Sequence, residues 1–482
     1  VVCCVLFLGV LRLLGQPVEF PGHNVRLHPC GAFDGTDSHI VWEELRGDGS
    51  DILSARLDGN LHLLDSVPVV ISAAPRNQSN PAIVWNAHQF LCVWEDARNG
   101  GSDVYGARIE STGVVLDPAG IPIRRASGIA KLPQVAAGDS DFLVVWEETP
   151  PDSDSYVCGV RVASDGSLRD TVPIRISRLP GRQAHPSVAY ASDLNNYAVV
   201  WEQHSPEDES VHVLGARVSD AGFVIDTIPV RLCRIASRQT APSIAYNDLY
   251  SHYRYLVVWE DDRMGVSNIF GTSLGTNLVV VDTVGSRGSN DSFPSSHPRV
   301  ADVFMYTDNH FEVDWQESQQ DGSIALMQEE AWYELSPSWC PPVTAPASDV
   351  LMPCFVGGGP GYGFILCVVD PHDPASPSSI VRTEAYIMGI NERMTVPCGR
   401  SVLLSVTPSL ARDRFNVSYS LSSPGAFALR VYDLCGKLVT TLREGSEAQG
   451  RLTWEPRGVS RGIYFIRLES AAGNETAKVI LE

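Results

Sequence analysis

Apolar residues along this chain fall in short runs rich in Val, Ile, Thr and Tyr, and Gly, Pro, Asn, Asp or Ser bounds nearly every run. That pattern predicts strands joined by tight turns, an all-β chain. The runs also repeat. HIVWEE, LCVWED, LVVWEE, AVVWEQ, LVVWED and EVDWQE place Trp at 42, 94, 146, 201, 259 and 315, at intervals of 52, 52, 55, 58 and 56 residues. Upstream of the last five, a Pro opens a short apolar run: Pro81, Pro133, Pro186, Pro242 and Pro298, at 13, 13, 15, 17 and 17 residues from the Trp. These distances differ by even numbers, as insertions in a hairpin turn must if the strand faces are to be kept. The variable stretch is turn-like, for example Gly138-Asp139-Ser140-Asp141 and Asp193-Leu194-Asn195-Asn196.

After each Trp comes a third strand, YGARIE at 105–110, CGVRVA at 158–163, LGARVS at 214–219 and FGTSLG at 270–275, then a turn and a fourth, as in VVLDPAGIPI, LRDTVPIRI and VIDTIPVRL. Four strands in about 54 residues cannot bury both of their faces alone, but copies packed face to face around an axis can. The unit therefore reads as a β-propeller blade. A row of separate sandwiches is the weaker alternative, because each would hold too little core. Six units carry Trp. A degenerate seventh is read at 349–398, from DVLMPCF, FILCVVD, SIVRTEAYIMG and MTVPCG, with Val369 at the expected Trp position. NVRLHP at 24–29 supplies the opening strand of the first unit, so seven blades are expected, with six as the alternative.

The 482 residues, 44% apolar and 8% aromatic, suit a folded chain of two or three domains. The net charge of −21 is uneven. Residues 401–482 hold ten Lys/Arg against eight Asp/Glu, leaving 26 against 49 in the first 400. So acidic a surface excludes nucleic-acid binding and suits solubility, cations or basic partners. The N-terminal VVCCVLFLGVLRLLGQ is too short to span a bilayer but matches a secretory apolar core, without an initiating Met or a basic start. Residues 1–19 are therefore read as a truncated signal peptide, with a buried N-terminal strand as the alternative.

Eleven Cys include no CxxC pair, which argues against a zinc ribbon or thioredoxin-like site. Cys92 and Cys158 fall in apolar strands and are expected to be buried. Cys340, Cys354, Cys367 and Cys398 cluster and could bridge in an exported chain.

Beyond 398 the repeat stops. FNVSYSL, FALRVYDL, KLVTTLRE, RLTWEP, GIYFIRLE and AKVILE, separated by turns such as Ser423-Pro424-Gly425 and Cys435-Gly436-Lys437, predict an immunoglobulin-like sandwich over 399–482. Four features carry a more specific likeness: Val431-Tyr432-Asp433 before Gly436-Lys437, the pair Thr453-Trp454, the opening Gly462-Ile463-Tyr464-Phe465, and the ending Lys478-Val479-Ile480-Leu481. With them the module resembles the C-terminal sorting domain of the type IX secretion system, itself similar to the sandwich of flagellar hook-capping proteins. The resemblance implies a bacterial protein, secreted or held at the outer cell surface, whose residues 399–482 engage outer-membrane secretion machinery. Thr407-Pro408-Ser409 stands where the family has Pro-Asn-Pro, and the chain ends on Glu482 rather than a basic residue.

The sequence contains no HExxH and no sialidase-type Ser-x-Asp-x-Gly-x-x-Trp box; Asp165-Gly166 is followed by Ser167-Leu168-Arg169, and Gly271-Thr272-Ser273-Leu274-Gly275 has the GxSxG form but falls in the third strand of its repeat. Gly138-Asp139-Ser140 is similar to a lipase GDS start but sits in a hairpin turn. The glycine run at 357–363 lacks the Lys-Ser/Thr of a phosphate loop. His185 and His297 each precede a repeat Pro. The recurring polar feature is the acidic residues that follow five of the six Trp: Glu43/Glu44, Glu95/Asp96, Glu147/Glu148, Glu202 and Glu260/Asp261/Asp262. A ring of these carboxylates is a candidate calcium or cation site. The alternative is that they cap strand ends and pair with Arg98 and Arg263. No catalytic, cofactor or metal residue is assigned. The expectation is a propeller over 20–398 that binds a glycan or protein without catalysis and has no stable membrane span; an exported hydrolase with a site built from propeller loops is the alternative.

Overall fold

The computed structural model describes Leu14–Pro17; residues 25–331 apart from 48, 60–61, 126, 207–209, 248–253, 290–292, 304–309 and 321–323; the strands Asp349–Gly357, Gly363–Asp370 and Ser379–Ala385; and 402–481 apart from short stretches at 408–409, 412–413, 422–425, 434–436, 447–448, 455, 457–458 and 471–472. The described residues form strands and turns with no α-helix, so the chain is all-β. It divides into two compact units, Val1–Gly389 and Ile390–Glu482.

Among the described residues the first unit holds seven antiparallel sheets. Five have four strands in sequence order, beginning at Arg26, Gln78, Ile129, Gln183 and Gln239. The sixth has three strands, Ser295–Val303, His310–Ser318 and Ile324–Ala331. The seventh joins Asp349–Gly357, Gly363–Asp370 and Ser379–Ala385 to Leu14–Pro17, which pairs antiparallel to Ser379–Ala385. The first strand of each sheet neighbours the first strands of the sheets before and after, and the seventh returns to the first. Innermost strands therefore form a closed cycle.

Register explains the even spacing of the sequence. In every Trp-bearing sheet the residue after the Pro is opposite the residue before the Trp: Cys30–Val41, Ala82–Val93, Gln134–Val145, Ser187–Val200, Ser243–Val258 and Arg299–Asp314. The second strands are almost continuously buried, as in Phe90–Asp96 and Tyr255–Asp261, because a sheet covers each of their faces. Trp94 packs with Val41, Ile52 and Ile71 of the sheet before it, and Trp146, Trp201, Trp259 and Trp315 repeat the arrangement. Trp42 has no earlier Trp-bearing sheet, yet it is fully buried, because the seventh sheet lies beside the first.

One expectation is corrected. Val369 does not take the Trp position of the seventh sheet. Cys354 pairs with Leu366 and Leu351 with Val368, so Cys367 stands there instead. Five residues separate the paired Gly357 and Gly363, an odd number, which shifts the parity kept elsewhere. Of the N-terminal segment, Leu14–Pro17 is a strand completing the seventh sheet, in keeping with the strand alternative for these residues. The remainder of 1–19, Cys340, Cys398, MTVPCG, the glycine run at 358–362, Ser423-Pro424-Gly425 and Cys435-Gly436 lie outside the described residues.

The second unit has a three-stranded sheet of Val402–Thr407, Phe415–Leu421 and Gln449–Trp454. A five-stranded sheet runs in the order Leu410–Ala411, Gly473–Leu481, Gly462–Ser470, Phe427–Asp433, Leu438–Gly445. Between them lies one apolar core, including Phe415, Val417, Leu429, Val431, Trp454, Tyr464 and Ile466. Phe415 and Trp454 stack with centroids 5.3 Å apart, and Tyr464 meets Trp454 edge-on at 5.9 Å.

Candidate functional site

The innermost strands carry the concentrated polar chemistry of the first unit. Each breaks register just before its Pro, where one residue has left-handed backbone: His28 (φ 48°), Asn80 (51°), Leu132 (51°), His185 (49°), Ala241 (50°) and His297 (54°). A side chain other than Gly is strained there, and a following Pro restricts the backbone further. The bulge turns its N–H out of the ladder and towards the preceding sheet.

The first carboxylate after Trp meets that N–H. Glu95 Oε1 accepts from Leu132 N at 2.7 Å and from Asn80 Nδ2 of its own sheet at 2.9 Å. Glu202 Oε1 accepts from Ala241 N at 2.7 Å and lies 2.9 Å from His185 Nδ1. Glu260 Oε1 accepts from His297 N at 2.8 Å, and Glu43 Oε2 lies 3.0 Å from His28 Nδ1. Glu95, Glu202 and Glu260 thus latch the bulge of the next sheet, across 37 to 39 residues of chain.

These bonds tune charge. Burial opposes ionisation of Glu202, but His185 overcomes it and holds the carboxyl below its usual range, while Glu202 holds the His185 imidazole above its own. Burial raises Glu95 and lowers His297.

The second carboxylate has a different task. Glu44, Asp96, Glu148 and Asp261 accept the indole N–H of Trp42, Trp94, Trp146 and Trp259 at 3.2, 2.8, 2.8 and 3.0 Å. Each also meets a guanidinium: Arg26 at 3.3 Å, Arg98 at 2.8 Å, Arg124 at 2.8 Å and Arg263 at 2.9 Å. The pairing with Arg98 and Arg263 therefore belongs to Asp96 and Asp261 and not to the glutamates before them. In the fourth sheet Gln203 replaces the carboxylate, and among the described residues the buried Trp201 indole nitrogen has no partner.

A third set went unread in the sequence. Arg56, Arg108, Arg161 and Arg217 each bind the Asp nine residues on, Asp65, Asp117, Asp170 and Asp226, at 2.7, 2.8, 2.7 and 2.8 Å. The free amino group of the guanidinium reaches the following sheet, as Arg108 Nη1 does to Ser164 O at 3.1 Å and Arg161 Nη1 to Asp220 O at 2.6 Å. Gly166 and Gly222 complete the contact: their φ is positive, and a Cβ would come within 2.9 and 2.8 Å of Arg108 and Arg161. The fixed nine-residue spacing was the signal available in the sequence.

Gly138-Asp139-Ser140 falls in the turn between Ile129–Ala137 and Asp141–Thr149, and Cys92 and Cys158 are buried. Cys354 and Cys367 lie in neighbouring strands of the seventh sheet. Among the described residues no three His, Cys, Asp or Glu side chains are grouped to hold a metal ion, and no helix is long and apolar enough to cross a membrane.

The model of the secretion system C-terminal sorting domain matches residues 405–482. The protein is exported. It is secreted or attached to the bacterial outer cell surface, and its sorting domain engages the secretion machinery. No curated protein matches the chain. Similar solved structures include a protein of unknown function from Dyadobacter fermentans, with 11% identity over 77% of this chain and 98% of that one, TM-score 0.46. Another is a subtype N10 neuraminidase-like protein of A/little yellow-shouldered bat/Guatemala, 9% identical over 69% and 100%, TM-score 0.40. A third is an endo-arabinase from Bacteroides thetaiotaomicron, 12% identical over 53% and 94%, TM-score 0.36.

Proposed function

We propose that the exported chain is a surface binding scaffold: a seven-bladed propeller carried by an immunoglobulin-like sorting domain. The cyclic order of seven sheets supports the blade number, and two sheets around one core support the sandwich. One observation carries the scaffold reading. The carboxylates after each Trp, which a sequence search singles out, are engaged in holding bulges, indoles and guanidinia. A catalytic pair is singular and sits in one cleft; these recur sheet by sheet. The ligand-binding surface then lies on the connections. Their apolar side chains recur at the same place in the repeat, with Val67, Val172 and Ile228 exposed by 71, 74 and 82%. A glycan and protein array probed with the full chain tests this, and binding lost on changing these three residues to Ser is the expected result.

A second reading, an exported hydrolase, draws on the His28–Glu43 and His185–Glu202 pairs that the first and second strands of their sheets bring together. Its test is turnover of glycoside, ester, peptide or sulfate substrates, with and without calcium. Turnover abolished by Glu202→Gln or His185→Ala favours the enzyme.

A further inference from the structure

Residues 405–482 match the sorting domain as a whole, but their side chains divide by direction. Leu429, Val431, Tyr464, Ile466 and Leu468 enter the core of the module. Their strand neighbours Arg430, Tyr432, Phe465, Arg467 and Glu469 stand on the opposite face of the five-stranded sheet, by the two-residue period. On that face Tyr432 is opposite Leu438 on one side and Phe465 on the other, so three adjacent strands present one apolar row. Leu438 is 47% exposed.

Beside this row Arg430 is directly opposite Arg467. Like charges so placed repel and weaken a sheet. Carboxylates moderate the repulsion: Arg430 meets Glu469 at 2.5 Å and Glu444 at 3.0 Å, and Arg467 meets Glu469 at 3.5 Å. The Tyr432 hydroxyl donates to Glu469 at 3.1 Å, which ties the row to the charges. Core packing calls for none of these outward groups. Charge indicates what they meet. The last 82 residues carry ten Lys/Arg against eight Asp/Glu and the first 400 carry 26 against 49, so the module is the part of the chain that an acidic surface attracts.

We propose that the row Leu438–Tyr432–Phe465, with Arg430 and Arg467, is the surface by which the module docks on a protein of the export machinery. The complementary surface is an apolar cleft edged by carboxylates. The proposal rests on the sorting role of this module, and its test separates the two.

Full-length variants are expressed in a bacterium possessing the secretion system, and surface-exposed protein is compared with protein retained in the periplasm. Tyr432→Ser with Phe465→Ser, and separately Arg430→Glu with Arg467→Glu, are each expected to lower surface protein at least tenfold. Arg451→Glu, at an exposed position of the three-stranded sheet, is expected to leave export unchanged. Thermal unfolding of the purified chains shows whether the module remains folded; should the serine pair unfold it, the charge reversal at exposed side chains decides. Normal export of the charge-reversed chain, with export blocked by deletion of residues 401–482, overturns the docking face and leaves the sorting role standing. Normal export of the deleted chain overturns both. Co-sedimentation of the full chain with vesicles of anionic outer-membrane lipid, lost in the same variants, assigns the face to lipid and overturns the proposal.

Discussion

The ring of sheets and the C-terminal module bury their strands by different means. Every ring sheet is wedged between two others, so its polar strand ends meet the next sheet and need partners there: Glu95 for the Leu132 N–H and Arg108 for the Ser164 carbonyl. The module seals one core between its own two sheets. A recurring polar residue in the ring is thus accounted for by contacts between sheets. In the module, outward residues such as Tyr432 and Arg467 have no such account. Repetition therefore lowers the functional weight of a conspicuous carboxylate, and direction raises that of an inconspicuous aromatic.

The strongest way to break the comparison is to remove a core aromatic from each unit. Trp146→Ala and Trp454→Ala should each cost about 3–5 kcal/mol, read by denaturant titration. Each change should move the transition of its own unit alone. A Trp454→Ala chain whose ring transition also shifts would show that the units do not fold independently.

Ion pairs sharpen the contrast. Arg124, 3% exposed at its side chain, joins Asp103 at 3.1 Å and also Glu148. Arg124→Met strands two buried carboxylates and should cost about 3–5 kcal/mol. Arg430, 32% exposed, holds partners that water can solvate, and Arg430→Met should leave the module's unfolding midpoint unchanged. Equal losses in the two variants would remove the distinction between buried latches and exposed ion pairs.

Next in size is the glutamate latch. Glu95→Ala leaves the Leu132 N–H without its acceptor in a strained bulge, at a cost of about 1–3 kcal/mol. Hydrogen exchange should show Leu132 losing protection before Val144 does. A neutral substitution would mean that the bulge needs no latch.

How far the sequence revealed these features follows from their range. The Trp period and the even Pro-to-Trp spacings lie within single hairpins, so strand order, register and the buried Trp face could be read directly. The sorting module was legible because its motif lies in one continuous stretch. The seventh sheet was misread at Val369 because one odd loop shifts a pattern that has no Trp to anchor it. The strand at Leu14–Pro17 appeared only as an alternative, because an apolar run reads the same as a secretory core or as an edge strand. The Glu-to-bulge latches join residues 37 to 39 apart in different sheets, and no local pattern reports the left-handed backbone at Leu132 or Ala241. The Arg–Asp latches, at a constant nine residues, were readable and were passed over.

The smallest effect separates two histidines of the ring by the sign of their pH dependence. His39 is fully buried, stacks 4.0 Å from Phe90, and has Nε2 3.1 Å from Ser111 O. Burial holds its imidazole below the ordinary value of 6.5, an effect that the Ser111 carbonyl and Asp34 and Asp65 oppose and Arg56 reinforces. A folded value below the unfolded one means that the unfolded chain takes up the proton first. Stability is then complete above about pH 6.5 and falls as the solution is acidified. His185 has the opposite sign. Glu202 raises its folded value, so its contribution is complete below the ordinary value and is lost as pH rises through the raised one; Arg182 works against the shift and Glu147 with it. Glu202, held low, withdraws its own share only as pH falls through its depressed value. Denaturant titrations of wild type, His39→Gln and His185→Gln between about pH 8 and about pH 5.5 read the slopes directly. His39→Gln should flatten the acid-side loss, and His185→Gln should remove part of the alkaline-side loss while leaving the acid side of His39 intact. Identical slopes in the two variants would show that neither the His39 ring nor the His185–Glu202 pair governs proton uptake on unfolding.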